Sequence, residues 1–321
     1  MYLNFFGLQD KPFSIAPDPK FLFMTDQHRE ALAHLLFGVG DEGGFVLLTG
    51  EIGTGKTTVC RRLLSQLDEN VNVAFIVNPR LSACELLQSI CDEFEINYGD
   101  NLSIKFLVDL INEFLLNSHS SGKNTILIID EAQNLSDEVL EQLRLLTNLE
   151  TNEKKLLQLI LLGQPELNTK LEQYNLRQLA QRVTARFHLK SLSENQMISY
   201  IKHRLHVAGF RGDIFEDSAF KYIFNQSRGI PRLVNVICDR ALLGAYTQDK
   251  IIITQKIVKN ACKEVLGNLK NTQSKLSLFT NKRYILIIFA SLITASFLFF
   301  GDFLSTFLYN LFNSSSSNVI A

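Results

Sequence analysis

The chain has 321 residues, is 46% hydrophobic, and sets 32 Lys and Arg against 33 Asp and Glu, a net charge of −1. That length suits two or three compact units with an ample core, which excludes a disordered chain. The balanced charge exerts no overall pull on nucleic acid, so no nucleic-acid partner is expected.

Residues 1–40 open on aromatic and proline punctuation: Phe5-Phe6-Gly7-Leu8, Pro12-Phe13, Pro17-Asp18-Pro19 and Phe21 to Phe23. Prolines this dense exclude a continuous helix, so an ordered, aromatic-anchored strap is expected. Thr25 or Asp26 can cap a helix running to about Gly38, with Leu32, Leu35 and Leu36 on one face. Met1 to Gly7 has neither a basic flank nor a cleavage site, so it does not read as a signal peptide.

Phe45 to Thr49 reads as a short buried strand, and Thr58 to Leu67 as an amphipathic helix. Between them stands Gly50-Glu51-Ile52-Gly53-Thr54-Gly55-Lys56-Thr57, which fits the phosphate-loop pattern G-x-x-x-x-G-K-[ST]. The glycines let the backbone curl until its N–H groups point inward around phosphate oxygens. Lys56 then reaches the β- and γ-phosphates and Thr57 offers a hydroxyl to Mg²⁺. The helix that follows, from Thr58, presents its positive end to the anion.

Strand and helix patterns then alternate: strand 73–77, helices 82–94 and 103–117, strand 125–129, helix 136–147 and strand 156–162, with a short strand near Phe187 to Leu189. Such alternation predicts an α/β fold, a parallel sheet flanked by helices. The aliphatic run Thr125 to Ile129 ends in Asp130-Glu131. An acidic pair after a strand often caps a helix, but downstream of a phosphate loop it reads as a hydrolytic pair. Asp130 would hold Mg²⁺ through water, and Glu131 would act as general base on the attacking water. ATP and Mg²⁺ are the expected ligands.

Three smaller constellations follow. Gln164, at the tip of strand 156–162, can touch the γ-phosphate or simply shape a turn. The run Gln178 to Phe187 places Arg182 and Arg186 four apart, expected on one helix face. They form a solvated basic face or reach a neighbouring subunit's nucleotide as an arginine finger. Gly229-Ile230-Pro231-Arg232 starts a helix, with Arg232 either exposed or reaching the phosphates.

After Leu192 strand signals stop. Ser193 with Gln196 forms a capping box opening a helix to about Ala208, and helices near 217–226, 231–246 and 254–266 follow. The expected organisation is a strap and helix over 1–40, an ATPase core over 41–192, a helical lid over 193–267 and a linker over 268–283. A transmembrane helix over 284–304 and a short polar tail over 305–321 complete it. Tyr284 to Phe300 carries no charge, and at about 1.5 Å per residue its extension nears the length that crosses a bilayer. Lys275, Lys282 and Arg283 precede it and no Lys or Arg follows, which places residues 1–283 in the cytoplasm. Five cysteines without a C-x-x-C pair suit buried, reduced thiols.

In this order the motifs resemble an AAA+ ATPase. Tyr2-Leu3, Phe6-Gly7-Leu8, Lys11-Pro12-Phe13, Pro17-Asp18-Pro19, His28-x-Glu30-Ala31-Leu32, Leu48 to Thr58, Ile129 to Gln133, Gly163 to Leu167 and Gly229 to Leu233 resemble the general secretion pathway protein A family. That family includes ATPases of secretin assembly and of mannose-sensitive haemagglutinin pilus biogenesis. The resemblance implies a homo-oligomeric, ring-forming ATPase of the bacterial inner membrane, with secretion or pilus assembly proteins as partners. It makes Gln164 the first sensor, Arg232 the second and Arg182 or Arg186 the finger, with the strap near the adenine. Longer members bind peptidoglycan beyond the membrane segment; with about twenty residues there, direct peptidoglycan binding is not expected of this chain. The alternatives are a slow nucleotide switch that scaffolds partners, or a DNA-associated ATPase of the transposition type.

Overall fold

The computed structural model describes residues 1–277, except 17, 41–43, 78–79, 101 and 151–154, with backbone alone for 268–277. The chain divides into two compact units, Met1–Ala261 and Cys262 onward. In chain order the first unit holds α1 (Tyr2–Phe6), α2 (Asp26–Val39), β1 (Phe45–Gly50), α3 (Lys56–Leu64), β2 (Val71–Ile76), α4 (Ala83–Glu93), α5 (Ile104–Ser120) and β3 (Asn124–Ile129). There follow α6 (Asp137–Leu146), β4 (Gln158–Gly163), α7 (Glu166–Leu171), α8 (Arg177–Ala180), β5 (Val183–Leu189), α9 (Glu194–Val207), α10 (Asp217–Ser227) and α11 (Pro231–Tyr246). The last helix, α12 (Gln255–Ser277), runs from this unit into the second.

The five strands form one parallel sheet in the order β2-β3-β4-β1-β5. Its central strands carry aliphatic runs, Val46 to Leu48, Ile126 to Ile129 and Leu159 to Leu162, because both faces are covered. Odd and even residues part to the two sides. Leu47, Leu127, Ile129, Leu159 and Leu161 pack with α4, α5 and α6. Val46, Leu48, Ile126, Ile128, Ile160 and Leu162 pack with Ala31 and Leu35 of α2 and Val59 and Leu63 of α3. Each such leucine or isoleucine, removed from water, stabilises the fold by about 1.5–3 kcal/mol before conformational entropy is charged.

Two local expectations change. Arg182 and Arg186 do not share a helix face: α8 ends at Ala180, and Arg186 lies within β5. The run Val183-Thr-Ala-Arg-Phe-His-Leu189 has β-branched and aromatic residues, and backbone pairing with β1, interrupted only by a register shift at Thr184, outweighs its helical spacing. The start of the expected linker is also helical, since α12 continues to Ser277. The expected membrane span at 284–304 and the tail at 305–321 lie outside the described residues. Among the described residues, no helix is long and apolar enough to cross a membrane.

The N-terminal strap joins the two halves of the first unit instead of standing apart. Tyr2 donates to Asp239 of α11, and Gln9 N–H donates to the Ala208 carbonyl at the end of α9. Buried Arg204 of α9 donates to the Pro12 and Ser14 carbonyls and lies over the Phe21 ring at 4.9 Å. From Thr25, which caps α2, the chain turns onto the sheet. A second tie runs beneath: Gly229, at φ +72°, accepts from Leu192 N–H at 2.9 Å. A Cβ there would fall 1.9 Å from the Leu192 carbonyl oxygen, so only glycine fits.

Candidate nucleotide site

All the strand ends that carry chemistry emerge at one edge of the sheet. Gly50 closes β1, Asp130 follows β3, and Gln164 follows β4, with Thr49 in register with Gly163 and Ile129 with Leu161. This is the edge of a parallel sheet where crevices form. A cavity of about 450 Å³ opens there, lined by the loop from Ile52 to Thr58, by Glu131, by strap residues from Ser14 to Phe23, and by Pro231, Arg232 and Asn235 of α11.

The loop is shaped by contacts on both sides. Gly53 (φ +82°) and Gly55 (φ +109°) take the left-handed turn that glycine allows. A Cβ on Gly53 would meet Arg232 Cβ at 2.5 Å, and Arg232 N–H donates to the Gly53 carbonyl at 3.3 Å. The start of α11 therefore rests on the loop itself, which brings Arg232 to the cavity with its side chain exposed. On the other side stands His28 of α2. Its Nδ1 lies 2.6 Å from Thr25 Oγ1, and its ring hydrogen-bonds the Thr54 backbone. Burial pushes the imidazole below its usual range, with the Thr54 bond opposing.

Lys56 is buried and donates to the Gly50 carbonyl at 2.7 Å and the Glu51 carbonyl at 3.1 Å. Burial lowers its pKa, while the negative charges of Glu131, Asp130, Glu51 and Glu166 pull the other way. Thr54 folds back to donate to the Glu51 carbonyl at 2.9 Å, and Thr58 lines the cavity one turn into α3. No side chain caps the start of α3, so its first N–H groups remain suited to an anion. Loop curl, uncapped helix and buried cation together fit a triphosphate.

Thr57 Oγ1 donates to Asp130 Oδ2 at 2.7 Å, and Asp130 Oδ1 accepts from Glu131 N–H at 2.8 Å. Hydroxyl and carboxylate so paired are the hard oxygen donors that Mg²⁺ takes. Glu131 sits at φ +54°, left-handed for a residue with a side chain. Its Oε2 accepts from Gln133 Nε2 at 2.6 Å and Gln164 Nε2 at 3.4 Å. Gln164 thus reaches Glu131, as a polar strand tip beside the acidic pair can.

The two arginines part company. Arg182 donates to the Arg144 carbonyl at 2.7 Å, to Thr147 Oγ1 at 2.8 Å and to Asn148 Oδ1, closing the C-terminal end of α6. Arg186 is exposed and donates to the Ala180 carbonyl at 3.0 Å. Neither lines the cavity of its own chain.

Sequence reasoning gave no role to three residues at this site: His28, Gln133 and Arg204. For His28 a signal existed, since it stands three after the cap Thr25 on the face of Ala31, Leu32 and Leu35. Arg204 stands four after Tyr200 and beside Ile201 and Leu205 on the buried side of α9. Gln133 stands in the motif run Ile129 to Gln133, but its role was not legible, because its partner Gln164 lies 31 residues away.

A family model described as an AAA domain matches residues 40–171. General secretion pathway protein A of Aeromonas hydrophila is 53% identical over 267 residues, covering 83% of this chain and 49% of that protein. The chain thus spans about half the length of the curated relative it matches. Among solved structures, Cdc6p from Pyrobaculum aerophilum superposes with a TM-score of 0.64 at 18% identity, over 80% of this chain and 71% of that one. The ORC2 protein of Aeropyrum pernix, in its ADPNP-ADP complexes, gives 0.59 at 17% identity, over 80% and 72%. The Thermotoga maritima RuvB Holliday junction branch migration motor gives 0.51 at 21%, over 76% and 70%. At these identities the structures speak for the fold alone. The sheet order, the loop geometry and the 53% match together mark the chain as an AAA-domain protein homologous to general secretion pathway protein A.

Proposed function

We propose that this chain binds and hydrolyses Mg²⁺-ATP, and that its nucleotide cycle drives or regulates assembly of a cell-envelope machine, a secretion secretin or a pilus. One observation carries the enzymatic part: Lys56, the Thr57–Asp130 pair and Glu131 converge on one cavity at the strand ends. Lys56 and the loop N–H groups would hold the phosphates, and Thr57 and Asp130 would hold the metal. The ion, when bound, offsets charge on the phosphate oxygens. Glu131 takes the proton of the attacking water, and Gln164 and Arg232 sense the phosphate from the sheet and from the helical lid. The likeness to general secretion pathway protein A supports the envelope setting.

The enzyme acts as an oligomer. Arg182 is committed to its own α6, which leaves exposed Arg186 as the group to enter a neighbour's site. Arg186→Ala should cut turnover by about a thousandfold, the low end for a finger, without changing ATP affinity. Arg182→Ala should instead cost about 1–3 kcal/mol of stability. Mixing is the sharper measurement: Glu131→Gln subunits with intact Arg186 should rescue Arg186→Ala subunits with intact Glu131. No rescue, with rates independent of protein concentration, rejects the shared site.

The apolar stretch 284–304, with basic residues only before it, supports a single-pass anchor in the bacterial inner membrane and a cytoplasmic ATPase. A chain truncated after Lys275 should stay in the supernatant on membrane fractionation and keep its ATPase activity. Sedimentation of the truncated chain with membranes after a high-salt wash would show a different anchor.

A further inference from the structure

The sequence run ending Asp130-Glu131-Ala132-Gln133 contains one polar residue, Gln133, to which the proposed reaction gives no part. Gln133 follows β3 in a 3₁₀ turn, Ala132–Asn134, entered through the left-handed Glu131. Both ends of its amide are engaged. Its Nε2 donates to Glu131 Oε2 at 2.6 Å, and its Oε1 accepts from the Gln164 backbone N–H at 3.1 Å. Gln164 closes the ring by donating its own Nε2 to the same Glu131 oxygen at 3.4 Å. The ring ties the end of β3 to the end of β4 across residues that adjoin in space and not in sequence.

The ring also explains Gly163. A Cβ there would stand 3.1 Å from Gln133 Oε1 and 2.7 Å from Leu167 Cδ2, so a side chain would press on the amide. Only an amide completes the arrangement. A carboxylate at 133 can accept from Gln164 but cannot donate to Glu131, and an aliphatic side chain does neither. Two donors fill the two lone-pair sites of Oε2. Among the described residues no donor reaches Oε1, so that oxygen keeps its capacity to take a proton.

From this geometry we infer that Gln133 is a positioning residue: it fixes the Glu131 carboxylate by one oxygen, leaves the other for water, and links it to the strand tip that carries Gln164. The inference rests on the reading of Glu131 as general base. Among the described residues the hydrogen bonds of the Gln133 side chain go to Glu131 and Gln164 and not to the phosphate loop, so its loss acts on the rate of the chemical step and not on nucleotide capture. Misplacing a catalytic group by about 1 Å costs up to roughly a hundredfold.

The test uses the full chain with Mg²⁺-ATP and compares Gln133→Leu, Gln133→Glu, Glu131→Gln and the double variant Glu131→Gln/Gln133→Leu. Both Gln133 variants should lose about ten- to a hundredfold in kcat, with KM, ATP affinity and Tm near parental. The double variant should be no slower than Glu131→Gln alone, because the positioning residue has nothing left to position. Parental kcat in both Gln133 variants overturns the proposal, and so does a loss that multiplies in the double variant. A variant that loses Tm and ATP affinity together assigns Gln133 a structural role and equally rejects it. Full activity in Glu131→Gln would instead refute the general-base reading itself, an outcome separate from the behaviour of Gln133.

Discussion

Glu131→Gln should lower ATP turnover by about a hundred- to ten-thousandfold while ATP still binds. The substitution is close to isosteric, and the amide oxygen can keep accepting from Gln133 and Gln164 as Glu131 Oε2 does. The left-handed backbone at φ +54° is no harder for glutamine than for glutamate. What disappears is basicity: an amide takes no proton from water. The phosphate-holding groups, Lys56 and the uncapped start of α3, are untouched. The measurement pairs steady-state phosphate release with direct titration of ATP. Parental phosphate release would remove Glu131 from the base role. Loss of binding along with turnover would mean that Glu131 chiefly balances the charge of Lys56, on which it acts through space.

The contrast between what the sequence made legible and what it hid has a physical basis. Gly50 to Thr57 was readable because a phosphate loop is local: a strand, a curl and a helix lie within about twenty consecutive residues. β3 and its acidic end were readable because four aliphatic residues in a row, Ile126 to Ile129, mark a strand buried on both faces. β5 was readable only at its end. It lies at the sheet edge, where exposed Thr184, Arg186 and His188 alternate with inward Ala185, Phe187 and Leu189. The same letters also fit helical spacing, and neighbouring β1 decides between them. Arg182 was therefore paired with the wrong neighbour; its real partners, Arg144, Thr147 and Asn148, lie more than 30 residues upstream.

The strap posed a harder problem of the same kind. Its prolines and aromatics announced order but not destination. Phe13, buried against Phe215, and Tyr2, bonded to Asp239, anchor it to the segment before α10 and to α11, more than 200 residues later. Thr25 and His28 anchor its other end beside the phosphate loop. A segment tied at both ends to elements that contact the nucleotide cavity couples their positions. That coupling follows from tertiary hydrogen bonds that no local pattern encodes.

Lys56→Ala should abolish ATP binding at ordinary concentrations. The ammonium is the one buried cation in the loop, held by the Gly50 and Glu51 carbonyls with Glu131 and Asp130 nearby. Truncating one member of a buried charged pair costs about 2–5 kcal/mol, which is roughly thirty- to several-thousandfold in Kd. Without the ammonium, the carboxylates of Asp130 and Glu131 also meet the triphosphate with less opposing charge. The same lysine sets a pH dependence whose sign can be stated. Burial lowers its pKa in the folded protein below the ordinary lysine value of 10.5. Between the lowered and the unfolded values the unfolded chain binds more protons, so this group adds stability to the nucleotide-free protein as pH rises through that window. Nucleotide binding acts in the opposite sense, because a triphosphate favours the charged ammonium. The thermal shift that ATP produces should therefore shrink with rising pH across the alkaline range. In Lys56→Met, which keeps the bulk and loses the charge, ATP should produce little shift at any pH. A variant that binds ATP with parental affinity, or a parental shift that grows with alkalinity, would place the phosphate-binding charge elsewhere.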